Sequence, residues 1–253
     1  MRISEAQKRK NLVALLNAAL ELFAEKGYDS TSMREISTRA GFSPGTIYSY
    51  FPDKEQIFFA YFDQQQDQLA ASLTEIDDFE TFSLTEKLQT TLESLLEGYA
   101  PQRPFVAETY KALLDSPFKS FSALAPIRRK YVTLVEGFVS QAVAGGTLPP
   151  QPFQRFLVNL FWDYSNLVVL YWLRDTSVMY TNTSQLIDLS LGIYLEVLRS
   201  GVASKVADTL SFLLKSQLQS NFGQLVDLAA LVSRYRQSGE PNTSTPNVRK
   251  ERE

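Results

Sequence analysis

The chain has 253 residues, with 25 lysines and arginines against 28 aspartates and glutamates, and it contains neither histidine nor cysteine. The missing cysteines exclude disulfides, thiolate nucleophiles and Cys-ligated zinc, and the missing histidines remove the commonest general base and metal ligand. These absences argue against an enzyme, and we predict neither a cofactor nor a bound metal. The formal net charge of -3 would ordinarily argue against a nucleic-acid partner as well.

Helical periodicity runs through nearly the whole chain, and no segment shows the sustained alternation that is typical of a strand. The predicted helices, with ends accurate to about 2–4 residues, cover residues 7–26, 33–40, 44–50, 54–75, 84–98, 104–115, 122–144, 152–174, 184–200, 202–218 and 222–236. From Ser238 onward the composition shifts to Gly, Pro, Ser, Thr and Asn, which predicts a disordered tail. The chain is therefore predicted to be all-α.

The first predicted helix superficially resembles a secretory signal, because basic residues precede the apolar run Leu12–Leu20. Asn17 interrupts that run, no small-residue cleavage pattern follows it, and its apolar residues recur at helical spacing. The segment richest in apolar residues, Phe153–Leu173, carries charged and amide side chains that are costly in lipid. We therefore predict a soluble, cytoplasmic protein with no membrane partner.

Charge is distributed unevenly along the chain. Through residue 56 there are eight basic and seven acidic side chains, whereas residues 60–115 carry eleven acidic and three basic ones. The acidity of the whole chain therefore comes largely from the region after the first helices. A whole-chain average hides any positive face at the N-terminus, so it does not exclude DNA as a partner there.

Two short predicted helices follow the first long one and carry clear boundary signals. Ser32 and Glu35 have the spacing of a capping box, which predicts a helix start at that point. Gly41 allows a sharp turn, and Ser43 and Pro44 suit the cap and the first position of the next helix. Two short helices joined by a tight turn and braced by a longer helix form a helix-turn-helix, whose second helix reads the major groove of DNA.

The segments LFAEKGY, TSMREIS, AGFS and TIYSYFPDK occur in that order, and with this spacing the chain resembles the TetR family of bacterial transcriptional regulators. The resemblance covers about residues 10–60 and, more loosely, the helical remainder. It implies a three-helix DNA-binding domain fused to a larger helical domain that dimerises and usually binds a small ligand. We accordingly predict a DNA-binding domain at 1–55, a ligand-binding and dimerisation domain at 56–237, and a disordered tail at 238–253.

The resemblance also implies which side chains contact DNA. The positions that match residues facing the major groove are Ser43, Gly45, Thr46, Tyr48 and Ser49. Tyr50 and Lys54 match phosphate contacts, and Arg34 matches a position that touches base or phosphate. Alternatives stay open at this stage: Tyr48 could pack in the core, Lys54 could be a solvated charge, and the basic run 8–10 could be an ordinary solvated terminus.

The helix predicted around residues 186–198 is apolar on more than one side. One stripe holds Ile187, Leu191, Tyr194 and Leu198, and other faces hold Leu186, Leu189, Ile193 and Val197. A helix with such wide apolar cover is buried on two sides. The resemblance assigns the equivalent helix to a four-helix dimer interface, so we predict a two-fold homodimer, with a wholly intramolecular core helix as the alternative.

Aromatic residues are concentrated between 153 and 174 and could line a pocket for an apolar or aromatic small molecule. The side chains predicted to contact such a ligand are Tyr110, Phe138, Trp162 and Asp163. Asp163 lies on a polar stripe with Arg155, Asn159 and Asn166, spaced at four, four and three residues. Core packing of the aromatic residues and solvent exposure of the polar stripe are the alternatives.

These observations predict a dimeric, ligand-responsive transcriptional regulator, a repressor that binds a palindromic double-stranded operator. A rival hypothesis is a helical adaptor that acts through protein contacts of the added helices at 202–218 and 222–236. An enzyme is the weakest alternative, because no arrangement of nucleophile, base and orienting group is visible.

Overall fold

In the computed structural model, residues 4–115, 117–151, 153–200 and 205 are described, with the side chains of 114–123 left aside. These residues form eight α-helices and no strand, which confirms the all-α prediction. The helices are α1 Glu5–Lys26, α2 Met33–Arg39, α3 Glu55–Thr74, α4 Leu84–Tyr99, α5 Arg103–Asp115, α6 Pro117–Ala144, α7 Gln154–Trp172 and α8 Thr181–Arg199. The helices predicted at 202–218 and 222–236 and the tail predicted at 238–253 lie outside the described residues.

Local sequence signals account for several helix boundaries. The Ser4 side chain accepts a hydrogen bond from the Gln7 amide at the start of α1, and Gly27 ends that helix with φ at 85°. α4 begins at a capping box formed by Ser83 and Glu86, in which each side chain satisfies a backbone N–H of the first turn. At both helix starts, some of the N–H groups that lack an intrahelical partner are thereby paired by residues of the same turn.

The helix predicted at 44–50 is instead a short 3₁₀ turn at Thr46–Ser49. We call residues 43–51, which contain it, the recognition turn. Two of its backbone bonds are of the i to i+3 type, from Thr46 N to Ser43 O and from Tyr50 N to Ile47 O, both 2.9 Å. Ser and Thr side chains bond locally here, since the Ser49 hydroxyl donates to the Thr46 carbonyl at 2.7 Å. Such local bonds compete with regular α-helical pairing.

α1, α2 and the recognition turn, residues 4–54, form a small unit that we call the head. α1 packs across α2, and α2 packs against the recognition turn. Its apolar centre is fully buried and consists of Leu15, Leu16, Ala19, Ile36, Ile47 and Phe51. Burial of these side chains from all three elements is what holds the recognition turn in place.

The described residues from 55 to 200, which carry α3 to α8, form the body. α3 packs on α4 and α6, α6 packs on α7, and α8 packs on α4 and α7. Buried aromatic side chains fill much of this layer, including Tyr61, Tyr99, Tyr131, Phe161 and Trp172. The body is thus a helical bundle with a large aromatic core.

Head and body meet through aromatic rings. Phe23 of α1 stacks on Phe105 of α5, with ring centroids 5.4 Å apart and planes 7° from parallel. Phe58 of α3 lies 5.3 Å from Phe105 and 4.6 Å from Tyr28 in the loop after α1. α5 therefore contacts the head directly, which matters for any signal that passes between the two regions.

Candidate nucleic-acid interface and ligand groove

The start of α2 is fixed by the predicted capping box. Glu35 Oε2 accepts from the Ser32 amide at 2.9 Å, and the Glu35 amide donates to Ser32 Oγ at 3.3 Å. Lys26 Nζ also donates to Glu35 Oε1 at 2.5 Å. The Lys26 bond, followed by the bonds from Ser32, lowers the pKa of Glu35 to about 2. One carboxylate therefore ties the end of α1 to the start of α2.

The turn between α2 and the recognition turn is closed by hydrogen bonds. The Phe42 amide donates to the Ser37 carbonyl at 2.8 Å, and the Ser37 hydroxyl donates to the Ser43 carbonyl at 2.5 Å. Gly41 adopts φ of 78°, a region that glycine occupies without penalty. Ser37 is fully buried, so this polar bond lies inside the motif and sets the angle of the recognition turn.

Of the five positions predicted to face the major groove, four are exposed and Thr46 is half-buried. Tyr48 is 54% exposed, so the alternative that it packs in the core is wrong. Ser43 and Thr46 share a hydrogen bond of 2.8 Å between their hydroxyl oxygens. Gly45 and Ser49 are exposed and small, and they leave Tyr48 as the most prominent side chain of this surface.

Tyr50, a predicted phosphate contact, is half-buried and tied to α1. Its hydroxyl oxygen accepts a hydrogen bond from the Asn11 amide nitrogen at 2.9 Å. Arg34, the other candidate near the start of α2, is exposed and lines a shallow surface groove with Thr38 and Pro44. Both side chains lie in the head, as expected, but only Tyr50 is held in one orientation by a described partner.

Lys54 occupies a more constrained place than a solvated helix-start charge. Its ammonium donates to the Tyr28 carbonyl at 2.6 Å and to the Thr31 carbonyl at 3.0 Å, and it lies 4.1 Å from the centre of the Tyr28 ring. Partial burial lowers the pKa of Lys54, and burial also raises the pKa of Tyr28 to about 12. A phosphate contact at Lys54 would have to use the third N–H of the ammonium.

Two structural features of the head were missed by sequence reasoning. Arg39 makes a bidentate pair with Glu25, with both N–O distances 2.8 Å, and so braces α2 against α1. Asn11 bonds Tyr50 across 39 residues of chain. Neither partner could have been assigned from spacing, because each pair joins elements whose relative position only the folded head defines.

In the body, Trp162 and Asp163 line a common groove of about 570 Å³ between α6 and α7. Its walls carry the apolar side chains of Leu124, Val132, Phe156 and Trp162 and the charged side chains of Arg128, Arg129, Glu136, Arg155 and Asp163. Asp163 lies 3.8 Å from an Arg128 nitrogen. Three arginines beside apolar walls can bind an anionic group attached to an apolar chain.

The other two predicted ligand contacts lie elsewhere, so the four residues do not form one pocket. Tyr110 is buried, and its hydroxyl donates to Asn166 Oδ1 at 2.8 Å. Phe138 lines a separate cavity of about 380 Å³ beside Lys87, between α4 and α6. The spacing of aromatic residues indicates burial, but which of them share a cavity depends on how the helices pack.

An apolar surface remains exposed on α7 and α8. On α8 the buried stripe includes Ile187, Leu191 and Leu198, as the pattern indicated. The outward side chains of the two helices include Leu160, Leu167, Tyr171, Leu189, Ile193 and Val197, with Ile193 69% exposed. Rows of exposed apolar side chains on two helices that pack together are typical of a protein–protein contact.

A braced helix-turn-helix followed by a helical body with a groove defines the class of DNA-binding transcriptional regulators. Two family models match the chain: one described as bacterial regulatory proteins of the tetR family over residues 15–61, and one described as a tetracyclin repressor-like C-terminal domain over residues 87–213. The chain therefore belongs to the TetR family, as the motif predicted. It is a DNA-binding regulator of transcription.

Individual relatives agree with this assignment. The chain is 26% identical to the "Fatty acid metabolism regulator protein" of Bacillus subtilis over 199 residues, which cover 79% of this chain and 99% of that protein. A Thermus thermophilus FadR structure in complex with lauroyl-CoA matches with a TM-score of 0.58 at 21% identity, covering 73% of this chain and 93% of that one. A Bacillus subtilis FadR structure in complex with stearoyl-CoA matches with a TM-score of 0.55 at 24% identity, covering 75% and 98%. These structures share the fold.

Within the described residues, no helix combines the length and the apolar character needed to cross a membrane.

Proposed function

We propose that the protein is a dimeric repressor that binds a palindromic operator and releases it when an amphiphilic ligand occupies the groove between α6 and α7. The observation that carries this proposal is the recognition turn, whose exposed face presents Tyr48 while buried Ile47 and Phe51 anchor it. A rigid outward surface of this kind suits insertion into the major groove, where a tyrosine ring can contact a thymine methyl.

The exposed apolar surface of α7 and α8 supports dimerisation. The two helices are adjacent in the body and present Leu167 and Ile193 outward. A second copy related by a two-fold axis would bury this surface against itself in a four-helix contact. Two heads held by such a contact would read two half-sites separated by about one helical turn of DNA, or roughly 34 Å.

The composition of the groove supports an amphiphilic anion as the ligand. Arg129 and Arg155 are exposed at its walls, and Phe156 and Trp162 supply apolar surface. A fatty acyl-CoA combines phosphates with an apolar chain, and its recognition would need both kinds of wall. The name of the Bacillus subtilis relative and the acyl-CoA complexes of the two similar structures support this class of ligand.

Contacts of α5 offer a route from the groove to the DNA. At its start, Arg103 donates to the carbonyls of Trp172 and Asp175 at 2.9 and 3.0 Å, which ties α5 to the end of α7. Two residues later, Phe105 stacks on Phe23 of the head. A shift of α7 on ligand binding would therefore move α5 and α1, and would change the separation of the two recognition turns in the dimer.

Selection of bound sites from random duplex DNA tests the DNA-binding part. The expected result is an inverted repeat bound by two chains, with affinity that falls as salt rises. Replacing Tyr48 by Ala should weaken specific binding by about five- to a hundredfold, while Tyr48→Phe keeps the ring and most of the affinity. Selection of no common site, or of a single half-site bound by one chain, would contradict the proposal.

Titration of lauroyl-CoA into the protein–operator complex tests the ligand. Release of DNA is expected with lauroyl-CoA and not with free coenzyme A, because the acyl chain supplies the apolar contact. The double variant Arg129→Ala/Arg155→Ala should require roughly tenfold more ligand, as expected for lost charge-assisted bonds. Arg174→Ala is the matched control, since Arg174 is exposed beyond the end of α7 and outside the groove. Equal responses of the two variants would exclude this groove as the binding site.

A further inference from the structure

A chain of side-chain hydrogen bonds leads from the first turn of α1 to the recognition turn. Gln7 Nε2 donates to Asn11 Oδ1 at 2.8 Å, and Asn11 Nδ2 donates to the Tyr50 hydroxyl oxygen at 2.9 Å. Asn11 is half-buried, whereas Gln7 is exposed. The two bonds agree on the orientation of the Asn11 amide, with its oxygen toward Gln7 and its nitrogen toward Tyr50.

This orientation decides what Tyr50 can offer to a partner. A phenol hydroxyl has one proton to donate, and its oxygen can also accept. The Tyr50 hydroxyl oxygen already accepts a hydrogen bond from the Asn11 N–H. Its own proton therefore points in another direction and can be donated to a different partner. An anion is the partner that such a donor binds best, since hydrogen bonds to charged acceptors are stronger than those between neutral groups.

A charged pair lies on α1 before Asn11. Lys8 lies one turn before Asn11 on α1, and its ammonium pairs with Glu5 at 2.8 Å. The hydrogen bond with Glu5 is the main reason that the pKa of Lys8 is raised, and proximity to Tyr50 adds to the effect. The hydrogen bond from Asn11 places the Tyr50 hydroxyl beside α1.

We propose that Asn11 is a positioning residue for DNA binding, which holds the Tyr50 hydroxyl so that its proton is donated to a backbone phosphate. Gln7 supports this role by fixing the direction of the Asn11 amide. The inference rests on the proposed function, which places Tyr50 against DNA. It adds that α1 contributes through hydrogen-bond polarity as well as through its packing against α2. Preorganisation of the donor removes part of the entropic cost of binding.

A double-mutant cycle tests the coupling between the two residues. The variants are Asn11→Ala, Tyr50→Phe and the double variant, and the probe is a fluorescein-labelled duplex that carries the site selected from random DNA. We expect Tyr50→Phe to weaken binding about tenfold and Asn11→Ala about three- to fivefold. In the Tyr50→Phe background, Asn11→Ala should have almost no further effect, because its role requires the hydroxyl. Circular dichroism and thermal unfolding show that each variant is folded.

Reversal of the hydrogen-bond polarity is a sharper test. An aspartate at position 11 can only accept, so it would draw the Tyr50 proton inward and turn oxygen lone pairs toward the phosphate. Asn17→Asp is the matched control, because it adds the same charge at an exposed position of the same helix. We expect Asn11→Asp to weaken binding more than Asn11→Ala and more than Asn17→Asp. In the Tyr50→Phe background, the two aspartate variants should become equivalent.

The outcomes separate this inference from the proposed function. If wild-type protein binds the selected site and Tyr50→Phe weakens it, but Asn11→Ala does not, the positioning role is wrong while the DNA interface stands. If Tyr50→Phe has no effect, the phosphate contact and the positioning role both fail, whereas operator binding by the wild type is measured independently. If Asn11→Asp and Asn17→Asp bind DNA with equal affinity when Tyr50 is present, the hydrogen bond between Asn11 and Tyr50 runs in the direction opposite to the one proposed.

Discussion

In the head, residues 4–54, polar side chains that bond over short stretches of sequence mark where elements begin, as the Ser32–Glu35 capping box does for α2. In the body, the described residues from 55 to 200, it depends on aromatic rings from distant helices, such as Tyr131 and Phe161 with centroids 6.2 Å apart. This difference explains why the DNA-binding motif can be located from the sequence whereas the ligand groove cannot. A bond between neighbouring residues can be recognised from their spacing in the sequence, whereas the packing of distant helices cannot.

The largest expected effect is a loss of unfolding free energy when the aromatic core of the body is disrupted. Phe161 is fully buried between Tyr131, Tyr164 and Tyr194, so Phe161→Ala should lower the free energy of unfolding by about 3–5 kcal/mol. Urea denaturation followed by circular dichroism measures the change. Phe156→Ala is the control, because Phe156 is exposed on the same helix, and its effect on unfolding should stay below about 1 kcal/mol. Similar losses for both variants would show that the body does not depend on its aromatic core.

A smaller loss of unfolding free energy is expected when Lys54 is replaced. Lys54→Met removes a charged donor from the Tyr28 and Thr31 carbonyls and should cost about 1.5–3 kcal/mol of unfolding free energy. Both stability and operator affinity should fall, because Lys54 holds the loop that precedes α2. Arg34→Ala, at an exposed site in α2, should lower affinity without changing the unfolding midpoint. Unchanged stability of Lys54→Met would mean that Lys54 acts on DNA alone.

Two capping boxes, one in each region, allow a matched comparison. Ser32→Ala in the head and Ser83→Ala in the body each remove one cap and should each cost about 1 kcal/mol. Only Ser32→Ala should also weaken operator binding, because α2 supports the recognition turn. Thermal unfolding and fluorescence anisotropy with the selected duplex measure the two properties. If both variants weakened operator binding equally, a cap in the body would affect DNA binding as much as a cap in the head.

The smallest effect is a dependence on pH. Hydrogen bonds from Lys26 and Ser32 lower the pKa of Glu35 from 4.5 to about 2, and bonds from Thr183 and Ser177 lower that of Asp175 from 3.8 to about 2. A depressed carboxyl pKa contributes stability that is complete above the unfolded-state value and is lost as pH falls toward the folded-state value. Melting temperatures should therefore fall between about pH 5 and pH 2. Glu35→Gln and Asp175→Asn should each flatten this dependence.

Much of the fold and part of the candidate site could be predicted from the sequence. Helix spacing and the capping box at Ser32 depend on residues within a few positions of one another, and the structure places the starts of α2 and α4 where they were expected. The TetR-family motif depends on the same short-range order. The DNA contacts of the motif stay predictions.

The distant side chains that meet are determined by the packing of the helices and not by spacing in the sequence. Trp162 and Asp163 share a groove with Arg155, whereas Tyr110 and Phe138, predicted for the same pocket, lie elsewhere because α5 and α6 direct them to other parts of the body. Lys54 reaches two backbone carbonyls and Asn11 reaches Tyr50, although no spacing in the sequence connects either pair. The physical reason is the range of the interactions. A cap or a turn is closed by neighbouring residues in the chain, whereas a groove or a bond between elements exists only after burial of apolar surface has fixed the helices against each other.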